Sequence, residues 1–115
     1  MIKHADQLPS GVNEAMRGGP GRVKKTELAT PEELQNKGRM YSVITLEPGC
    51  GIGTHDHQGE TEIFYVLEGT ADYNDNGTIC KLPAGDVAIC RPGESHGISN
   101  SGTETVRLVA LILYK

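Results

Sequence analysis

The sequence predicts an all-β fold, and three observations predict it. Apolar runs of about four to ten residues alternate with turns, which recur roughly every eight to twelve residues. Fifteen Gly and six Pro are spread along 115 residues with no repeat and no low-complexity tract. Asp75-Asn76-Gly77, set between two β-rich runs, is the composition of a two-residue hairpin turn.

Taken in order, residues 1–38 differ from the rest. Met1 to Ala15 is polar with weak periodicity and is expected to be a loose or partner-docked arm. Gly18-Gly19-Pro20-Gly21 is a turn, and Arg22 to Leu28, with its lysines, is expected to be an edge strand. Thr30-Pro31-Glu32-Glu33 has the makings of a helix start, with Thr30 as cap, Pro31 in the first helical position and Glu33 closing a capping box. Gly38 is expected to stop that short helix after about two turns.

From Arg39 onward the chain reads as strands: Met40 to Leu46, Thr61 to Leu67, Thr70 to Tyr73, Thr78 to Leu82, Val87 to Cys90, His96 to Ser99 and Thr105 to Tyr114. The last run is nearly continuous in apolar residues, which suits a central strand buried on both faces. With the His-x-His segment, about eight strands make a sandwich or barrel. Residues 1–38 are therefore expected to be an arm, edge strand and short helix attached to a barrel of residues 39–115, one structural domain in total.

Composition narrows the function classes. The net charge is −4, charged residues are 23% and there is no basic run, so nothing favours nucleic acid or an anionic membrane as partner. One Phe and no Trp leave no aromatic platform for stacking bases. Met1 to Gly11 has no signal-peptide pattern, and the apolar run Leu108 to Tyr114 is too short to span a bilayer. Three cysteines, Cys50, Cys80 and Cys90, are an odd count at no metal-like spacing. They read as reduced thiols of a cytoplasmic protein, with Cys80 and Cys90 as small buried hydrophobes. There is no His-Glu-x-x-His, no Gly-x-Ser-x-Gly and no phosphate loop.

The chemistry lies in the histidines. His55 and His57 are two apart, so on a strand both imidazoles leave the same face, roughly 7 Å apart at Cα. Asp56 points the other way. Glu62 opens the next strand after a reversal and can return a carboxylate to the same ion, with Glu60 as the competing carboxylate. His96 follows a separate Pro-Gly turn and supplies a fourth ligand. His4 is an ordinary surface histidine. Three neutral imidazoles and one carboxylate form a mixed site suited to one divalent transition metal: iron, manganese, nickel, cobalt or zinc.

These residues carry a family resemblance. Gly49, His55, His57, Glu62 and Gly69 match the first cupin motif, G-x5-H-x-H-x4-E-x6-G, and Gly85, Gly93, His96 and Asn100 match the second, G-x7-G-x2-H-x3-N. One departure is that the proline stands directly before the second glycine, as Pro92. The chain resembles small single-domain cupins of the oxalate-decarboxylase-like type over about two thirds of its length. The resemblance implies a jelly-roll β-barrel with the metal in its mouth, and a homodimer.

Function follows less closely. The resemblance admits metal-dependent dioxygenases, decarboxylases and isomerases acting on a small oxygen-rich molecule, an organic acid or sugar derivative. It also admits a non-catalytic module that binds or senses a small ligand. Tyr41 and Phe64 read as core packing, with lining of the ligand cavity as the alternative. Arg39, Arg91 and Arg107 are candidate carboxylate clamps, each more commonly a surface charge. Asn100 is expected to shape its turn.

Overall fold

In a computed structural model that describes all residues, 1–115, ten strands form two antiparallel sheets. They are β1 (Ser10–Glu14), β2 (Arg22–Ala29), β3 (Gly38–Leu46), β4 (Gly51–Asp56), β5 (Glu60–Glu68), β6 (Thr70–Asp75), β7 (Thr78–Pro83), β8 (Val87–Cys90), β9 (Ser95–Ser99) and β10 (Val106–Tyr114). One sheet has the order β1-β2-β3-β10-β5-β8 and the other β4-β9-β6-β7. The expected jelly roll is present as two facing sheets, and hydrogen bonding does not close them into a barrel.

Alternation builds the core between the sheets. Ile44 and Leu46 of β3, Phe64 and Val66 of β5 and Leu108 and Ala110 of β10 point inward and pack on Ile52, Ala71, Tyr73 and Ile98 of the smaller sheet. Strand β10 is central, paired to β3 and β5. Its burial alternates, however: Val106, Leu108, Ala110 and Ile112 are buried, Arg107 is exposed and Val109 is half-buried. Burial on both faces is therefore corrected to burial on one.

The hairpin at Asp75-Asn76-Gly77 forms as expected. Asp75 pairs Thr78, and Asn76 and Gly77 take φ of 51° and 99°, the doubly left-handed turn that a twisted hairpin favours.

Three expectations at the N-terminus change. The polar arm contributes β1, so Arg22–Ala29 is the second strand of its sheet and not the edge. Every residue of β1 is exposed, and a strand with no buried face leaves no alternating apolar signal. The helix expected after Thr30 does not form, and residues 31–36 are a run of hydrogen-bonded turns. The capping box forms, with Glu33 N–H donating to Thr30 Oγ1 at 3.1 Å and Thr30 N–H to Glu33 Oε1 at 2.9 Å. Gln35 and Asn36 then turn left-handed, both at φ 55°. Ala29 must lie beside Tyr41, and a straight two-turn helix would carry the chain away from that pairing. Gly38 is instead the buried start of β3, where a Cβ would strike the Ile112 carbonyl. The helical structure of the chain is two single 3-10 turns, Ala5–Gln7 and Met16–Gly18.

Of the cysteines, Cys90 is buried as expected, Cys50 is half-buried and Cys80 is exposed. Cys80 lies on β7, at the free edge of the smaller sheet, where a side chain has less to pack against. No helix is long and apolar enough to cross a membrane.

Candidate metal centre

The site lies between the two sheets and takes residues from both. Strands β4 and β9 of the smaller sheet bring His55 opposite His96, while Glu62 comes from β5 of the larger. The β4–β9 ladder shifts register between Ile52 and His55. That bulge explains why His55 faces the core side like Ile52 although the two are three apart. Gly97 makes it possible, since a Cβ there would meet Thr54 Oγ1 at 2.9 Å.

The 3-10 turn at Met16–Gly18 is pressed against the same stretch. A Cβ on Gly53 would collide with the Arg17 carbonyl, and one on Gly19 would lie 2.5 Å from the Gly51 carbonyl. His57 falls just past the end of β4 and is held by two backbone bonds: its N–H donates to the Glu94 carbonyl at 3.1 Å, and its carbonyl accepts from Gly93 at 2.7 Å. Gly93 has φ 85°, the left-handed turn for which glycine is suited. The structure thus draws together all four expected ligands.

One donor atom from each of His55, His57, Glu62 and His96 lies within 4.8 Å of the others. Glu62 Oε1 is 3.0 Å from both His57 Nε2 and His96 Nε2, and His57 Nε2 is 3.1 Å from His55 Nε2 and 3.0 Å from His96 Nε2. The three rings stand edge to face, each pair with centroids 4.9 Å apart. His57, Glu62 and His96 are buried, and the His55 side chain is 11% exposed.

The outward nitrogens fix the tautomers. His55 Nδ1 faces the Gly53 carbonyl at 2.7 Å, His57 Nδ1 faces Glu60 Oε1 at 3.0 Å and His96 Nδ1 faces Tyr73 Oη at 2.8 Å. A carbonyl and a carboxylate only accept, so His55 and His57 donate from Nδ1 and keep Nε2 lone pairs for the interior. Tyr73 can accept in the same way from His96. Three imidazole lone pairs and a carboxylate oxygen aimed at one point repel each other unless a cation lies between them. The donor set therefore fits a single metal ion.

A proton is the alternative occupant. Burial raises the Glu62 carboxyl, but hydrogen bonds from His57 and His96 outweigh it and hold the carboxyl down at about 2. The contact with Glu62 raises His57, while burial lowers His55. The centre is electrostatically asymmetric, with the extra proton favoured between His57 and Glu62.

The remaining candidates divide clearly. Phe64 is 1% exposed and stacks on His96, with planes 13° apart and centroids at 5.1 Å. Tyr41 is half-buried and belongs to the opposite face of β3 from the inward-pointing Ser42 and Ile44. It packs outside, because side chains alternate along the strand. Arg91 pairs with Glu94 and Arg107 with Glu68, both on the surface. Arg39 bonds Glu60 through two guanidinium nitrogens at 2.8 and 2.7 Å, and so connects to His57. Asn100 ties its own turn, donating to the Leu46 and Glu104 carbonyls at 2.9 and 2.7 Å. Tyr73 escaped the sequence reading because its link to His96 spans two strands of the sheet and leaves no local signal.

Known proteins resemble this chain over most of its length. The family described as cupin domain matches residues 42–112. An oxalate-binding protein of Thermotoga maritima is 36% identical over 113 residues, covering 98% of this chain and 93% of that protein. The crystal structure of a predicted oxalate decarboxylase from Thermotoga maritima superposes with a TM-score of 0.96 at 36% identity, covering 100% of both chains. A quercetin 2,3-dioxygenase of Escherichia coli is 36% identical over 74 residues, which are 61% of this chain and 32% of that protein.

Proposed function

Because the chain belongs to the cupin family, we propose that it holds one divalent transition metal on His55, His57, Glu62 and His96 and acts there on a small oxygen-rich molecule. The carrying observation is the convergence of three imidazoles and one carboxylate within 4.8 Å. Four ligands leave open positions on a six-coordinate ion. Iron, manganese, nickel, cobalt and zinc each suit this nitrogen and oxygen set. When bound, the metal supplies Lewis acidity and a template for ligand oxygens.

The chain's own residues hold and shield the centre. Gly53, Glu60 and Tyr73 orient the imidazoles. On the inner face of the large sheet, Ile112 and Cys90 lie directly across from Glu62, and Met40 lies across from Ile112. These neighbours flank Glu62 on the inner face of that sheet, and of the four side chains His55 is the most exposed, at 11%. The oxalate-binding relative supports a small organic acid as ligand. The same name favours a second reading, a binding module without turnover.

The test begins with elemental analysis of the purified chain, then titration with oxalate while carbon dioxide release and oxygen uptake are followed. About one metal per chain and oxalate binding only in the loaded protein are expected. Product release identifies an enzyme, and binding without it identifies the module. Failure to take up any of the five metals on reconstitution would remove the proposal. Affinity should also fall as pH falls through the histidine range, by about tenfold per pH unit for each proton that the metal must displace.

In this reading residues 1–38 and 39–115 act as one domain, since β1 and β2 extend the large sheet, and the free thiols suit a reducing cytoplasm. The chain is further proposed to form a homodimer through the outer face of that sheet. Tyr65, Leu67, Val87 and Ile89 there are 40–53% exposed, and Tyr65 lies directly across from Val87 as Ile63 does from Ile89. A contiguous apolar face of this kind suits a two-fold contact with its own copy. Sedimentation should give a dimer for the wild type and a monomer for Ile89→Asp. A monomeric wild type at micromolar concentration would rule the contact out.

A further inference from the structure

Glu60 and Glu62 are two apart on β5 and share its inner face, yet their partners separate them. Glu62 Oε1 meets the inner Nε2 atoms of His57 and His96. Glu60 Oε1 meets the outer Nδ1 of His57, while both Glu60 oxygens are taken by Arg39. His57 is thus held between two carboxylates, one at each nitrogen. Its counterparts differ: His55 leans on a backbone carbonyl and His96 on a phenol. Among the three imidazoles, only His57 has an anion behind it.

Arg39 reaches this position through a local irregularity. The β3–β10 ladder shifts register, so that Gly38 pairs Leu113 and Met40 pairs Ile112, leaving Arg39 unmatched. Such a bulge breaks the alternation that would otherwise send residue 39 to the outer face. Gly38 permits the close approach to the Ile112 carbonyl on which the bulge depends. The guanidinium then binds both carboxylate oxygens in the forked geometry that arginine favours.

We propose that Arg39 and Glu60 are positioning residues for the metal centre: Arg39 keeps Glu60 out of the ligand set, and Glu60 holds the proton of His57 on Nδ1. The inference rests on the metal-binding reading of the site. Two consequences follow. A carboxylate behind an imidazole makes the other nitrogen a stronger donor, so His57 is the strongest of the three histidine ligands. Arg39 also decides which of two nearby carboxylates binds the ion, and its loss releases Glu60 as a competitor of Glu62.

The experiment compares wild type with Glu60→Leu, Glu60→Gln and Arg39→Met in the full chain. In metal-free protein, at a pH high enough to keep the imidazoles neutral, nitrogen-15 NMR reports the His57 tautomer. In loaded protein, chelator competition gives cobalt(II) affinity and visible absorption reports its ligands. Glu60→Leu should lose the fixed Nδ1–H tautomer and about 10- to 100-fold in cobalt affinity. Glu60→Gln, which can still accept through its amide oxygen, should keep the tautomer and most of the affinity. Arg39→Met should keep the fold but change the cobalt spectrum as Glu60 joins the ion. Wild-type tautomer and affinity in Glu60→Leu would overturn the role of Glu60, and an unchanged spectrum in Arg39→Met would overturn that of Arg39. A wild type that binds no cobalt defeats the metal reading instead, and the metal-free tautomer measurement still judges Glu60.

Discussion

Replacing His57 with Ala is expected to cost more than about a hundredfold in metal affinity, beyond the 10- to 100-fold typical of removing a supporting hydrogen bond. His57 is the hub of the cluster. Its Nε2 lies 3.0 Å from Glu62 Oε1 and His96 Nε2, and 3.1 Å from His55 Nε2. Removal leaves Glu62 and Glu60 facing the same gap without the imidazole that separates them, and two imidazoles cannot hold the ion as three do. His4→Ala is the matched control, since His4 is exposed and outside the cluster. Calorimetric titration with zinc, supported by elemental analysis, reads both. Equal and full occupancy in the two variants would show that the ligands have been wrongly assigned.

The second large effect is on stability. Phe64→Ala is expected to cost about 3–5 kcal/mol, a large share of the margin of a domain this size. Phe64 is almost wholly buried between the sheets, stacked flat on His96 and set edge-on to Tyr73 at 6.2 Å. Its removal opens a cavity next to His96, which loses one wall, so metal affinity at the proposed centre should fall along with stability. The melting temperature of the metal-free protein should drop by roughly 15–25 °C, while Phe64→Leu should lose much less. A drop of only a few degrees for Phe64→Ala would mean that the surrounding strands collapse into the space, and that the aromatic stack contributes little.

The cluster of His55, His57, Glu62 and His96 was legible in the sequence because its spacing is local chemistry. A His-x-His pair, a carboxylate five residues on and a third histidine behind a Pro-Gly turn need no knowledge of sheet order to be recognised. Even so, the reason His55 turns inward is a bulge, not simple alternation, and His57 lies beyond the end of its strand. Non-local structure was largely hidden. β1 has no apolar face to announce it, and the capping box at Thr30 forms while the helix it announced gives way to turns under tertiary pairing. Glu60 was visible as a rival carboxylate, but its partner Arg39 lies on another strand at a bulge that composition does not encode. Tyr41 and Cys80 were misplaced for a related reason, since which face or edge a residue occupies is set by pairing register.

The position of the His55, His57, Glu62 and His96 cluster across both sheets has a consequence for the protein as a whole. Three histidines belong to the β4–β9 side and Glu62 to β5 on the other, so an ion held by all four is a rivet through two layers that share no ladder. Binding to the folded state alone adds stability that grows with the logarithm of free metal, about 2.7 kcal/mol at a hundred times the dissociation constant. The molecule's resistance to proteolysis, and with it its abundance, would then follow the cell's supply of that ion. A starved cell would clear the empty protein, and a replete one would keep it.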